Sequence, residues 1–154
     1  MNLEPVDGAD EIDKLVRGIL VGSRAWGVLP TPVDQIVAYT ELSLERGVDL
    51  SKVEPGFFDV GREFFGKVKR KVLGMIDFRE KTIHLDRSQK PTRQNFIKLH
   101  ETGHGVIPCQ RDLYGCMDDE DTIVPEVKEI FERQASYFAS GGLFQLERFE
   151  EESS

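Results

Sequence analysis

The sequence predicts an α+β fold in which a short β-hairpin separates N-terminal helices from two later helices. Apolar residues recur at helical spacing near the N-terminus and again after residue 90, and two short strand-like runs flank a polar turn between them. With 154 residues and 39% hydrophobic residues, the chain is long enough to bury one core. We expect a single domain over residues 1–154, with residues 1–9 and 147–154 poorly ordered.

Two helices are predicted before residue 50. The first has the spacing i, i+3, i+4, i+7, i+8 and is predicted to begin at the capping residue Asp10. The second is predicted to begin at residues 31–34, with Pro32 at its first helical position, and to end at Gly47. Their apolar faces comprise Ile12, Leu15, Val16, Ile19 and Leu20 in the first, and Val33, Ile36, Val37 and Leu42 or Leu44 in the second.

The middle of the chain is predicted to form core and a hairpin. Four phenylalanines at positions 57, 58, 64 and 65 are expected in the core. Residues 72–78 and 82–86 are predicted strands around the polar turn 79–81. Residues 109–124 are predicted to be a long polar loop, and residues 125–140 a helix.

The most specific pattern is His100-Glu101-Thr102-Gly103-His104, within a helix predicted to begin at the N-cap Thr92 and to end at Pro108. Positions i and i+4 share one helix face, so the two imidazoles can bind one Zn²⁺. Glu101 would lie beside the metal and could take a proton from a water that the metal activates. The alternative is an ordinary amphipathic helix with incidental histidines.

A catalytic zinc usually has three protein ligands, so a third is expected. The extended motif with a further Gly and His is absent, because Ile107 and Gln110 occupy those positions. His84, Cys109 and Cys116 are candidates, although a carboxylate from a following helix is favoured. The carboxylates that follow the motif are Asp112, Asp118, Asp119, Glu120, Asp121, Glu126, Glu129 and Glu132.

Two motifs resemble those of the ImmA/IrrE metallopeptidase family. The first is Phe96 with the His100–His104 pattern, and the second is Phe-Glu-Arg-Gln-Ala-Ser-Tyr-Phe-Ala at 131–139. The resemblance covers roughly residues 71–144 and implies a zincin-like fold with Glu132 as the third metal ligand. This sequence departs from the family at Ser136, where Asn is usual, at Gly141-Gly142 within the second helix, and at Phe144-Gln145, where Met-Pro is common.

The resemblance also implies an activity. We expect a metal-dependent endopeptidase in which His100, His104 and Glu132 hold Zn²⁺, with Mn²⁺ as the alternative metal, and Glu101 acts as the general base. The resemblance implies a regulatory protease that cleaves a helix-turn-helix repressor, so the implied partner is a separate repressor protein. Alternatives are a zinc-bearing module that binds such a regulator without cleaving it, and a metallohydrolase or toxin that acts on another substrate.

The substrate is expected to add to a strand edge beside the metal helix. Residues 81–86 are predicted to be that edge, so that Ile83, His84 and Leu85 would bind an extended peptide through its backbone. His84 is also compatible with an ordinary packed or exposed strand residue.

Charge and composition exclude several classes of protein. A net charge of −8 and a pI near 4.9 argue against nucleic acid as the main ligand. The basic residues of 62–71 are expected to be a solvated face. Two cysteines do not make a disulfide framework, and the N-terminus lacks the features of a signal peptide. No apolar stretch is long enough to cross a membrane, so we expect a cytoplasmic enzyme.

Overall fold

A computed structural model describes residues 6–48, 74–86, 89–116 and 123–145 of the chain. Within these ranges five helices and a three-stranded sheet confirm the predicted α+β class. The helices are α1 (Ala9–Gly22), α2 (Val33–Tyr39), α3 (Pro91–Val106), α4 (Pro108–Cys116) and α5 (Pro125–Phe144). The strands are β1 (Ser43–Val48), β2 (Gly74–Asp77) and β3 (Thr82–Asp86).

The predicted hairpin is confirmed as the antiparallel pair of β2 and β3. Ile76 lies opposite Ile83, and the turn is closed by Asp77, whose Oδ1 accepts hydrogen bonds from the backbone N–H groups of Arg79 and Glu80. Lys81 has a φ of 50° and completes the reversal. A carboxylate that binds its own turn in this way is typical of Asx turns.

β3 is the central strand of this sheet, not an edge. β1 pairs with it in parallel on one side and β2 in antiparallel on the other. Ile83 and Leu85 are 0% and 1% exposed. The prediction that Ile83, His84 and Leu85 form a substrate-binding edge is therefore wrong, because the neighbouring strands already use the backbone hydrogen-bonding groups of β3.

α1 has the predicted apolar face, but its N-cap differs. Ile12, Val16, Ile19 and Leu20 are buried. The cap residue is Gly8, with a φ of 72° and no side-chain hydrogen bond, instead of Asp10. Asp10 lies in the first turn, where a negative charge favours the positive end of the helix dipole.

α2 is shorter than predicted, and a strand follows it. Val33, Ile36 and Val37 are buried as expected, but the helix ends at Tyr39 instead of Gly47. Glu41, with a φ of 65°, turns the chain, and the next residues enter β1. The prediction failed here because the partner of β1 is β3, about 40 residues further along the sequence.

The later helices also have different bounds. α3 is capped by Lys90 and has Pro91 at its first position, so Thr92 lies inside the helix and is not its cap. Part of the predicted loop 109–124 is instead helix α4. α5 continues past its predicted end at Ser140, through the two glycines at 141 and 142, to Phe144.

α3 lies at the centre of the fold, where it packs against α5, α2, β2 and β3, while α1 covers α5. Leu99 of α3 and Phe138 of α5 are both at most 2% exposed. Lys98 of α3 is buried and forms a 2.7 Å ion pair with Asp34 of α2. The predicted core phenylalanines at 57–65, the basic residues of 62–71 and the acidic run at 118–121 lie outside the described residues.

Candidate metal centre

The His-Glu-x-x-His residues lie on the most buried part of α3. His104 and Glu101 are 5% and 8% exposed, and Thr102 between them is completely buried. The Thr102 hydroxyl donates to the carbonyl of Lys98, one turn earlier, so it needs no partner outside the helix. The burial of the surrounding turns therefore holds His100 and His104 one turn apart on a rigid element.

α5 brings the third side chain to the same place. Ala135 and Phe138 are buried towards α3, and a Cβ on Gly103 would lie only 3.2 Å from Ala135 Cα. The glycine inside the motif thus permits the close approach of the two helices. Glu132 lies one turn before Ala135 and reaches the two histidines as a result.

The three side chains converge on one point. His100 Nε2 lies 2.9 Å from Glu132 Oε2, His104 Nε2 lies 3.2 Å from Glu132 Oε1, and the two Nε2 atoms are 3.2 Å apart. Tetrahedral zinc with bonds of about 2.0–2.1 Å places its ligand atoms about 3.3 Å apart. Two imidazoles and a carboxylate at this spacing therefore fit Zn²⁺ both in the chemistry of their donor atoms and in their separation.

Each imidazole also has a partner at its second nitrogen. Ser136 Oγ lies 3.1 Å from Nδ1 of His100, and Gln110 Oε1 lies 2.6 Å from Nδ1 of His104. Metal-binding histidines usually donate their other N–H to such a group, which orients the ring. Both rings are thus supported from outside the cluster with their Nε2 atoms turned inwards.

Burial and charge shift the ionisation of the site. Burial raises the pKa of Glu101, more than the two neighbouring histidines lower it. For His104 burial acts to lower the pKa, but the hydrogen bond with Glu132 and the charges of Glu101 and Glu132 raise it to about 9. Burial alone would raise the pKa of Glu132, yet the hydrogen bonds with His100 and His104 hold it well below its ordinary value. The raised pKa of His104 and the lowered pKa of Glu132 favour the charged forms of both side chains, so the two attract each other.

The centre opens to solvent on the side of α5. The Glu132 side chain is 59% exposed, whereas that of His104 is 6% exposed. A metal held here would therefore have one buried side and one accessible side, which is the arrangement of catalytic sites that keep a position for water or substrate.

The other candidate ligands whose side chains the structure describes do not join the cluster. Among the described residues, His100, His104 and Glu132 are the group with metal-binding geometry. Asp112 is exposed and pairs with its neighbour Arg111. Cys109 is an exposed free thiol whose Sγ contacts Gln134 Oε1 at 3.8 Å.

Two neighbours of the site, Gln110 and Tyr114, are not among the functional residues that the sequence predicts. In the sequence Gln110 only marks the position where a third histidine is absent, and Tyr114 falls within a predicted loop. The Tyr114 ring lies 6.0 Å from the His104 ring, edge to face, and stacks on Phe78 at 4.7 Å. The spacing of Gln110 and Tyr114, i and i+4 in a short helix, is the available signal, but α4 itself is not predicted.

Comparison with protein families agrees with this geometry. The model of the IrrE N-terminal-like domain, peptidase family M78, matches residues 64–154, which is more than half of the chain. The chain belongs to this family. The match includes α3 and α5 and confirms the resemblance that the two motifs indicated. No curated protein and no solved structure gave a significant match. Among the described residues, the IrrE-like chain has no helix long and apolar enough to cross a membrane.

Proposed function

We propose that this protein is a metal-dependent endopeptidase whose centre is formed by His100, Glu101, His104 and Glu132. The observation that supports it best is the convergence of two imidazoles and one carboxylate within 2.9–3.2 Å, with Glu101 buried beside them. A module that needed metal only for structure would not require a buried carboxylate next to its ligands.

In this proposal a divalent metal held by His100, His104 and Glu132 supplies Lewis acidity, which polarises the scissile carbonyl and lowers the pKa of water. The donor set of two histidines and one glutamate favours Zn²⁺, and Mn²⁺ is the alternative. The exposed side of Glu132 admits water and substrate to the centre.

Glu101 is the proposed general base. Its carboxyl is buried on the α3 face towards β2, and burial raises its pKa, which favours proton exchange closer to neutral pH. It takes a proton from the attacking water as the oxygen bonds to the carbonyl carbon. The same proton then passes to the departing amine as the C–N bond breaks, so Glu101 is unchanged after one turnover.

For the substrate we propose an extended peptide segment of a helix-turn-helix repressor. In the described part of the sheet, β2 is an outer strand, and a Cβ on its first residue, Gly74, would lie 3.5 Å from Glu101 Cγ. β2, not β3, is therefore the strand that can present backbone groups beside the proposed base. The net charge of −8 disfavours DNA as the direct ligand.

The test is Glu101→Gln, which preserves size but removes the base. We expect the variant to keep its metal content and melting temperature while cleavage of a helix-turn-helix repressor offered as substrate falls by about 10²-fold or more. Exposed Glu126→Gln is the matched control and should cleave at the parental rate.

Other outcomes would point to the alternatives. Equal cleavage by parent and Glu101→Gln would show that Glu101 is not the base. If the parent binds metal and the repressor but never cleaves it, the protein is a zinc-bearing interaction module. If the metal-loaded parent neither binds nor cleaves the repressor, another substrate, such as a small amide or a housekeeping protein, is indicated.

A further inference from the structure

Gln110 is a completely buried amide on α4 that contacts the proposed metal ligand His104. Its Oε1 atom lies 2.6 Å from His104 Nδ1. In the extended metal motif this sequence position would hold a third histidine ligand. Here α3 ends at Val106 and Gln110 lies on the next helix, α4. Gln110 therefore contacts Nδ1 of the His104 ring, whereas Glu132 contacts Nε2.

The orientation of the Gln110 amide follows from its other partners. Its Nε2 atom donates to the carbonyl of Phe131 at 3.0 Å and to Gln134 Oε1 at 2.9 Å. A backbone carbonyl can only accept, so the NH₂ group must face Phe131 and the oxygen must face His104. The contact at 2.6 Å is therefore a hydrogen bond in which Nδ1–H of His104 donates.

The amide of Gln134 also has one orientation that satisfies its partners. Its Nε2 atom donates to the carbonyl of Asp7 at 2.8 Å, which leaves Oε1 to accept from Gln110. Three hydrogen bonds thus run in one direction, from His104 through Gln110 and Gln134 to the backbone before α1. Reversal of any one of them would place two donors or two acceptors together inside the core.

We propose that Gln110 is a positioning residue that holds His104 as its Nδ1–H tautomer and directs Nε2 to the point shared with His100 and Glu132. This rests on the proposed function only in that a metal occupies that point. Gln134 supports the fold at the other end of Gln110, but the carbonyl of Phe131 is sufficient to keep the Gln110 amide in its orientation.

The test compares Gln110→Met with Gln134→Met, using Co²⁺ as the probe. Methionine has a similar length and neither a strong acceptor nor a donor. Gln110→Met removes the acceptor for His104 and should weaken Co²⁺ binding by about 10- to 100-fold, with an altered Co²⁺ absorption spectrum. Gln134→Met changes the same packed region but leaves the contact between Gln110 and His104. It should bind Co²⁺ with an affinity within about threefold of that of the parent.

A purely structural role for Gln110 predicts a different pattern. The melting temperatures of both variants would then fall to a similar degree, and both would keep the parental Co²⁺ affinity and absorption spectrum. That result would overturn the proposal. If Gln110→Met does not fold, the parent itself decides, by the ¹⁵N spectrum of the His104 imidazole. A protonated Nδ1 in the Co²⁺- or Zn²⁺-loaded protein supports the proposal, and a protonated Nε2 overturns it.

This experiment separates the inference from the proposed function, because none of its measurements uses peptide cleavage. If Gln110→Met binds Co²⁺ more weakly than the parent and Gln134→Met, and the parent cleaves no peptide, the role of Gln110 is supported and the proposed peptidase activity is not. If the parent binds no metal, the proposed function and the role of Gln110 in presenting a metal ligand both fail.

Discussion

At the scale of single residues, His104 and Glu132 form an ion pair in the metal-free site, and its pH dependence can be predicted. Burial opposes the charge on His104, but Glu132 and Glu101 outweigh it and raise the pKa to about 9. An imidazole in an unfolded chain has a pKa of about 6.5. A raised folded pKa contributes stability that is complete below the unfolded pKa and is lost as pH rises through the folded value.

We therefore expect the melting temperature of the chelator-treated protein to fall between pH 6.5 and about 9. Glu132 has a lowered pKa, so its contribution has the opposite sign: it is present above the ordinary carboxyl pKa of 4.5 and is lost as pH falls. Calorimetry from below pH 4.5 to about pH 9 measures both effects. Glu132→Gln should flatten the alkaline fall, and a melting temperature of the parent that does not change between pH 6.5 and 9 would contradict the ion pair.

Which site residues could be predicted from sequence depends on how local their signal is. His100 and His104 are one helical turn apart, so spacing alone predicts that they share a face. Glu132 could be preferred over the other carboxylates only through the family resemblance, since spacing does not distinguish them. The contacts of Gln110 and Ser136 with the histidines depend on the packing of α4 and α5 around α3, which no local pattern contains.

At the scale of elements, the sequence signal is strong for amphipathic helices and weak for elements defined by distant partners. α1 and α5 could be predicted because each has an apolar face that recurs over several turns. β1 could not, because it pairs in parallel with β3, across a long stretch of chain. α4 gives little signal because it is short and mostly polar, and its buried residue Gln110 is held by contacts with α3 and α5.

The close contact between α3 and α5 leads to a prediction about two glycines. At an exposed position inside a helix, alanine is more favourable than glycine by about 0.5–1 kcal/mol. A Cβ on Gly18 of α1 would have no atom within 4 Å, so Gly18→Ala should increase the free energy of unfolding by about that amount. For Gly103 a Cβ would lie 3.2 Å from both Ala135 Cα and Phe138 Cδ1, so Gly103→Ala should gain nothing or lose stability.

Urea unfolding of the two variants beside the parent measures this difference. Because Ala135 follows Glu132 by one turn, a displacement of α5 should also weaken Co²⁺ binding by Gly103→Ala and leave Gly18→Ala unaffected. Equal stabilisation by the two substitutions, with unchanged metal binding, would show that the two helices can separate without consequence for the site.

At the scale of the whole molecule, most of the core does not involve the metal centre. The buried cluster includes residues from α1, α2, β2, β3, α3 and α5, such as Leu20, Ile36, Ile83, Leu99 and Phe138. The end of α5 is held by its C-cap residue Gln145, whose buried side chain donates to the carbonyls of Ala25 and Val28 and accepts from the N–H of Gly27. These contacts join the N-terminal helices to the end of α5 with no contribution from the metal ligands.

Because the core and the metal centre are largely separate, metal should stabilise the fold without being required for it. A metal that binds the folded state and not the unfolded state stabilises the fold by about 2.7 kcal/mol when its free concentration is 100 times its dissociation constant. For a chain of this length 1 kcal/mol corresponds to about 2–4 °C in melting temperature, so a chelator should lower the transition by roughly 5–10 °C. Because the core in α1, α2 and the sheet remains, the transition should stay cooperative. Scanning calorimetry with and without chelator measures the shift, and Glu132→Gln should show a smaller one. Loss of the transition on metal removal would instead identify a structural zinc site on which folding depends.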